Sequence, residues 1–455
     1  MPRRFRPYSP EQSLLLPPSL RDWLPEDHLA HMVSDVVDTL DLSAIVASYT
    51  AGDGRGQPPY EPRMMVKLLV YAYCTGRPSS RKIERATYDD VAFRMLSGDQ
   101  HPDHDSIANF RKRHLDALAG LFGQVLKLCR EAGLVKLGHV AIDGTKVKAN
   151  ASKHKAMSYG RMVEEEAKLK AQIVALLADA QRTDDEEDRK HGRARGDELP
   201  DELRRREARL ARIQQAKQAL EVEAKARADA ERIEIEQRRA AREERPANRR
   251  GPEIKDPSEE PAAKAQRNFT DSDSRIMMDG ATKSFVQAYN AQAAVDSAHQ
   301  IIVATYVTQT ATDVQHLATM IEAVTRTMGE APKIASADAG YFSKDTIEDP
   351  RFEKIDLHVP PRRMRRDEKV AAPKTIESAA AAKMRAKLDS PTGRAIYARR
   401  KAIVEPVFGQ IKEARGFRRF SLRGHANVQR EWSLVATVHN LMKLFGARRA
   451  SKMAA

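Results

Sequence analysis

Apolar residues recur at three- and four-residue steps along the first 135 positions, and Pro and Gly interrupt them. "EDHLAHMVSDVVDTL" puts Leu29, Met32, Val33, Val36, Val37 and Leu40 on one helical face. "MMVKLLVYAYC" is apolar on most sides and reads as a buried helix, after a loop rich in Gly and Pro, "GDGRGQPPYEPR". The period then changes. "LGHVAIDGTKVKAN" is β-branched and partly alternating, and predicts strand, turn, strand with Asp143-Gly144 as the turn. From about residue 155 the helical period returns over much longer stretches. Met162, Leu169, Ile173, Leu176 and Ala180 form one seam, and Leu203, Leu210, Ile213 and Leu220 a second. A charged, Gly-containing segment separates them, which predicts an antiparallel helical hairpin. A Pro-rich charged linker follows. Two β-rich runs flanking "DSAH" then predict a hairpin, and "TATDVQHLATMIEAVTRTM" an amphipathic helix with Thr312 or Asp313 near its N-cap. "PKIASADAGYFS" reads as a strand ending at Asp338, "DLHVPP" as a short strand, and the rest from about residue 375 as mainly helix.

This order predicts a mixed α/β fold interrupted after its first strands. The expected units are a helical N-terminal domain (1–135), the first strands of an α/β domain (136–154), a helical coiled-coil-like insertion (155–250), a linker (251–275) and the remainder of the α/β domain (276–450).

Charge narrows the class of partner. Lys and Arg number 78 against 64 Asp and Glu, a formal excess of +14, which favours a polyanion because neutralising phosphates releases condensed counterions. Arg77, Arg81, Lys82, Arg85, Arg111, Lys112 and Arg113 follow Gly/Pro/Ser turns on short helices, a placement suited to phosphate contact. The alternative for these side chains is a solvated basic face. Two cysteines, Cys74 and Cys129, exclude a disulfide framework or a four-cysteine zinc site. No apolar run approaches the ~20 residues of a membrane span, so a cytoplasmic protein is expected. The histidines suit structural roles: His139 precedes a strand, His299 follows a turn and His439 lies in an apolar helix.

The carboxylates carry the candidate chemistry. Asp143 and Asp338 each end a small apolar run, "HVAI" and "IASA", and each has a nearby glycine, Gly144 and Gly340, which permits close approach. Two acids at one sheet edge would repel unless a cation lay between them, and hard divalent ions take oxygen ligands of this kind. A third acid from the helical C-terminal part, Glu405 in "AIVEPVFGQIK", shares a stripe with Gly409 and Lys412; Pro406 predicts that the helix starts or kinks there. Spacing alone leaves turn, cap and surface readings open for all three. Asp279 and Asp296 compete as turn residues, Asp313 as a cap and Glu413 as part of a solvated face.

Four motifs in order, "VAIDGTKVKANAS", "YNAQAAVDSAHQIIVATYVTQ", "ADAGY" and "YARRKAIVEPVFGQIKEARGFRRFSLRG", resemble the DDE transposases of bacterial insertion sequences, and within their IS-four and IS-five-like class the group eleven-eighty-two. "PYEPRMMVKLLVYAYCTG", "SSRKIERA" and "HPDHDSIANFRKRH" resemble that group's N-terminal helical domain. The resemblance covers nearly the whole chain apart from the helical insertion. It implies an RNase H-like catalytic domain with Asp143 on the first strand, Asp338 after the fourth and Glu405 on a late helix. Together these would hold two Mg2+ ions, for which Mn2+ may substitute. Tyr397, Arg400 and Lys412 correspond to residues set around the family's Glu, although Arg400 to Glu405 is one residue longer than usual. With Lys146 and Lys148 they are expected to hold DNA phosphates. Implied partners are the element's terminal inverted repeats and target DNA, bound by a homodimer or larger synaptic assembly. The rival readings are an RNase H-like nuclease or resolvase without strand transfer, an inactive DNA-binding derivative, and a coiled-coil interaction protein. The last explains only the insertion.

Overall fold

The computed structural model describes residues 19–50, 58–191, 201–243, 254–280, 282–362 and 378–454. The first part is helical: α1 (Leu29–Thr39), α2 (Ser43–Thr50), α3 (Pro62–Cys74), α4 (Ser80–Asp89), α5 (Val91–Ser97), α6 (His104–Arg113) and α7 (Leu115–Glu131). Several of them start at side chains that take orphan backbone donors. Glu61 accepts from Met64 N at 2.7 Å ahead of Pro62, and Asp103 accepts from Ser106 N at 2.8 Å.

The sheet is built from β1 (His139–Lys148), β4 (Arg275–Met278), β5 (Phe285–Asp296), β6 (Ile302–Thr308), β7 (Ile334–Ser336) and β8 (Asp356–His358), after a small separate pair, β2 (Ala156–Ser158) and β3 (Gln266–Asn268). β5 is antiparallel to β1, β4 and β6, while β1 runs parallel to β7 and β7 to β8. The long β5 meets three partners, which curls this mixed sheet. Helices α10 (His316–Met328), α11 (Lys344–Ile347), α12 (Ala379–Asp389), α13 (Pro391–Gly409) and α14 (His425–Ala454) complete it. Trp432 on α14 is fully buried and donates its indole N–H to the Gln292 carbonyl at 2.8 Å. The same helix packs on α7 and α3, so the N-terminal helices and the sheet share one continuous apolar core.

The insertion is the expected antiparallel pair, α8 (Tyr159–His191) and α9 (Asp201–Glu243); the charged segment between them lies outside the described residues. Met162, Leu169, Ile213, Ala216 and Leu220 form a core of their own. Lys217 pairs with Glu166 at 2.9 Å and Arg209 with Glu165 at 3.0 Å. From residue 254 the stretch read as a linker packs closely. Ala263 and Ala265 carbonyls accept from Gly160 N and Tyr159 N, and Asn268 donates to Ser152 O at 2.8 Å.

Three local expectations need correction. Asp143-Gly144 is not a turn: β1 runs unbroken through it, with Asp143 opposite Ala293 and Gly144 opposite Gln292. Cross-strand pairing over nine positions overrides the dipeptide's turn preference. Of the two expectations at Pro406, a start or a kink, the start is wrong, because α13 begins at Pro391 behind the Ser390 cap and passes through Pro406. The carbonyl that the missing proline N–H would have met, Ala402 O, instead accepts from Gln300 Nε2 at 2.9 Å. Asp313 does not cap α10, whose N-cap is Gln315 with no side-chain bond. Amides from β5 hold Asp313 instead.

Candidate active site

β1 and β7 lie side by side in register, Ala141 opposite Ser336. Two residues further along each chain stand Asp143 and Asp338. Asp143 remains on its strand, whereas Asp338 has just left the sheet and caps a 3-10 turn (Ala339–Tyr341), accepting from Gly340 N at 2.8 Å. The strand pairing thus brings two carboxylates to one edge from sequence positions nearly two hundred residues apart.

Both acids are partly buried, and their surroundings are rich in charge. Arg400, buried on α13, donates to Asp143 Oδ2 at 2.9 Å and lies beside the Tyr397 ring, 5.8 Å from its centroid. Burial nevertheless pushes the Asp143 carboxyl up to about 6; Arg400 opposes that shift and the nearby Asp338 charge adds to it. Burial lowers the Lys146 ammonium, against the pull of Asp313, Asp143 and Asp338. The Tyr341 hydroxyl, which donates to Gln292 Oε1, is pushed well above its ordinary range by burial and then by the same three carboxylates. Lys412 sits in a π-helical turn (Gln410–Ala414) and donates to the Lys146 carbonyl at 2.8 Å, tying the end of α13 to β1.

The missing side chain of Gly144 makes room for two amides of β5. A Cβ there would collide with the Gln292 side-chain amide and lie 2.8 Å from Asn290 Oδ1. Asn290 and Gln292 point to the same side of β5, and both donate to Asp313 Oδ1, at 2.6 and 2.8 Å. Lys146 Nζ is 3.9 Å from the same oxygen. Asp313 is therefore a member of this cluster that sequence reasoning assigned to a helix cap. Its sequence signal is indirect: two amides at i and i+2 in the otherwise apolar run "YNAQAAV".

The remaining expected residues fall in different places. Glu405 is exposed on α13, and its carboxylate makes no hydrogen bond or ion pair with another described residue. Among the described residues no three His, Cys, Asp or Glu side chains stand close enough together to hold a metal ion as they are. The donor types still suit a hard divalent ion: the Asp338 charge acts on Asp143, and among the described residues Asn290 Oδ1 is a buried acceptor with no hydrogen-bond partner. Lys148 lines a groove of about 530 Å3 with Lys153, Lys155, Arg419 and Arg423, and no carboxylate is among its lining residues. Arg81, Lys82, Arg85 and Arg113 are exposed on α4 and α6. Arg111 is not: it is 7% exposed, and its guanidinium donates to Pro78 O at 2.7 Å and to the Tyr73 hydroxyl. It is spent on joining α6 to α3 rather than offered to a phosphate.

Comparison with known families fits this site. Residues 18–113 match the family described as Transposase domain (DUF772), and residues 256–441 match the family described as Transposase DDE domain. The second match makes the chain an enzyme of the DDE-type DNA transposase class, and together the two are consistent with an insertion-sequence transposase. Asp338 and Glu405 lie within the DDE match; Asp143 precedes it, on the far side of the helical insertion. No curated protein and no solved structure matches the chain. No helix among the described residues is long and apolar enough to cross a membrane.

Proposed function

We propose that this transposase serves an element of the insertion-sequence group eleven-eighty-two, and that its α/β domain is an RNase H-like nuclease core which cuts the element's DNA ends and joins their 3'-hydroxyls to target DNA. The observation that carries the reading is the meeting of Asp143, on the first strand, with Asp338, two residues past the adjacent parallel strand β7. With β2, β3 and β4 set aside as parts of the insertion and its flank, β7 is the fourth strand of the sheet in chain order, which supports the RNase H-like assignment.

On this reading Asp143, Asp338 and Glu405 hold divalent metal, which supplies charge stabilisation for in-line displacement at phosphorus. The chain's own groups do the rest. Arg400 orients the Asp143 carboxylate through its 2.9 Å bond. Glu405 must turn toward the pair from its exposed place on α13. Lys412 keeps that helix end against β1 while Lys146 balances charge at the edge. Lys148, Arg419 and Arg423 hold the phosphates of the strand leaving the site along the basic groove. The exposed basic residues of α4 and α6, Arg81, Lys82, Arg85 and Arg113, contact the terminal inverted repeats, and two copies of the chain pair the two ends.

The test is Mg2+-dependent joining of repeat-ended linear DNA to a plasmid. Joined product is expected with the native chain, and none with Asp143→Asn, Asp338→Asn or Glu405→Gln. Joining that survives in one variant removes that residue from the site. Cutting without joining would favour a nuclease or resolvase instead.

A further inference from the structure

We propose that Asp313 is a metal-facing carboxylate of this site, set beside Asp338 by the amides of Asn290 and Gln292, and that the ligand it takes is a hard divalent cation. The inference rests on the metal-dependent reading above.

The geometry divides the two oxygens of Asp313. Oδ1 is occupied: Asn290 Nδ2 donates to it at 2.6 Å and Gln292 Nε2 at 2.8 Å, with Lys146 Nζ at 3.9 Å. Oδ2 turns the other way, toward Gly340. A Cβ at Gly340 would lie 3.0 Å from Asp338 Oδ1 and 3.7 Å from Asp313 Oδ2. A glycine there keeps a side chain out of the space between Asp313 Oδ2 and Asp338 Oδ1, the latter accepting from Gly340 N at 2.8 Å. Carboxylates so placed repel unless a cation or a proton intervenes, and a hard divalent cation prefers such oxygens.

An independent observation points to the same ligand. Asn290 is fully buried, and its Oδ1 has no hydrogen-bond partner. Its Nδ2 donates to Asp313 Oδ1 and, at 3.3 Å, to Thr310 O, so the amide's orientation turns the oxygen toward Gly144. A buried acceptor without a donor is destabilising. An ion, or water bound to one, at this edge would satisfy it. Gln292 is held at both ends, donating to Asp313 and accepting from Tyr341, so the support beneath Asp313 is stiff. Such supports orient ligands and tune their affinity.

Mn2+ binding to the full chain, followed by the loss of the free-ion electron paramagnetic resonance signal, tests the assignment without relying on activity. Asp313→Asn keeps an oxygen for both amides and removes only the charge. It is expected to weaken Mn2+ binding by about 10–100-fold, while Asp338→Asn also weakens it. Native affinity in Asp313→Asn, with loss in Asp338→Asn, overturns the inference and leaves the proposed function standing. No binding by the native chain overturns both. A second variant covers a folding failure: Asp313→Cys offers a thiolate, which prefers soft ions. Added Cd2+ should give an ultraviolet thiolate-to-cadmium charge-transfer band in that variant and not in the native chain, whose two cysteines are buried. Absence of the band in a folded variant also overturns the assignment.

Discussion

Asp143 is costly to ionise where it stands, and that cost has a measurable sign. Its folded value of about 6 lies above the ordinary 3.8. The penalty is therefore fully present above about pH 6 and absent below 3.8, so this site alone makes the metal-free protein less stable as pH rises through that window. Asp143→Asn retains an acceptor for Arg400 and lacks the penalty. Its melting temperature relative to the native chain should rise from pH 4.5 to pH 7; parallel curves would contradict the shift. Gly144 is the second sensitive position. Gly144→Ala forces the Gln292 and Asn290 side chains apart, and should cost about 1–3 kcal/mol in chemical denaturation. An unchanged midpoint would mean that the two amides are not held as described. At this scale sequence showed the acids and their glycines, and the family resemblance supplied Arg400, but the amides and Asp313 stayed hidden. Asn290, Gln292 and Asp313 come together only through strand pairing and the path of the chain after β6, which no local pattern encodes.

Single elements divide into legible and illegible by how local their causes are. Helices α1, α3, α8 and α9 were readable because their apolar spacing is internal to each. The unbroken β1 was not, since its continuity through Asp143-Gly144 comes from β5 opposite. Nor was the course of α13. A proline inside a helix leaves one carbonyl without its donor, and here Gln300 supplies a substitute from the β5–β6 hairpin while also accepting from Lys443 at 2.7 Å. Gln300→Ala should cost about 1 kcal/mol of stability. It should also slow DNA joining if the setting of Arg400 depends on the seat of α13. Normal joining with reduced stability would separate the two roles.

Across the whole molecule, two apolar cores differ in what depends on them. The main one runs from the N-terminal helices through the sheet to α14, so the change of element type near residue 135 is not a break in packing. The smaller one is made by α8 and α9, with Met157 of β2 and Ala265 packed against its base. Ser158 faces Gln266 across the β2–β3 pair, so the chain leaves and re-enters the domain at one point. Replacing residues 159–265 by a tight two-residue turn should leave a β-hairpin and a folded remainder. Circular dichroism should show lost helix with a melting temperature within about 3 °C of the native chain. Collapse of the remainder would show that the core needs the arm.

The length of that arm sets a scale. With 33 residues in its first helix, α8 extends roughly 50 Å at 1.5 Å per residue. That matches the axial rise of roughly 15 base pairs of duplex. The far end of α8 is thus separated from its root in the domain by more than the length of a full helical turn of DNA.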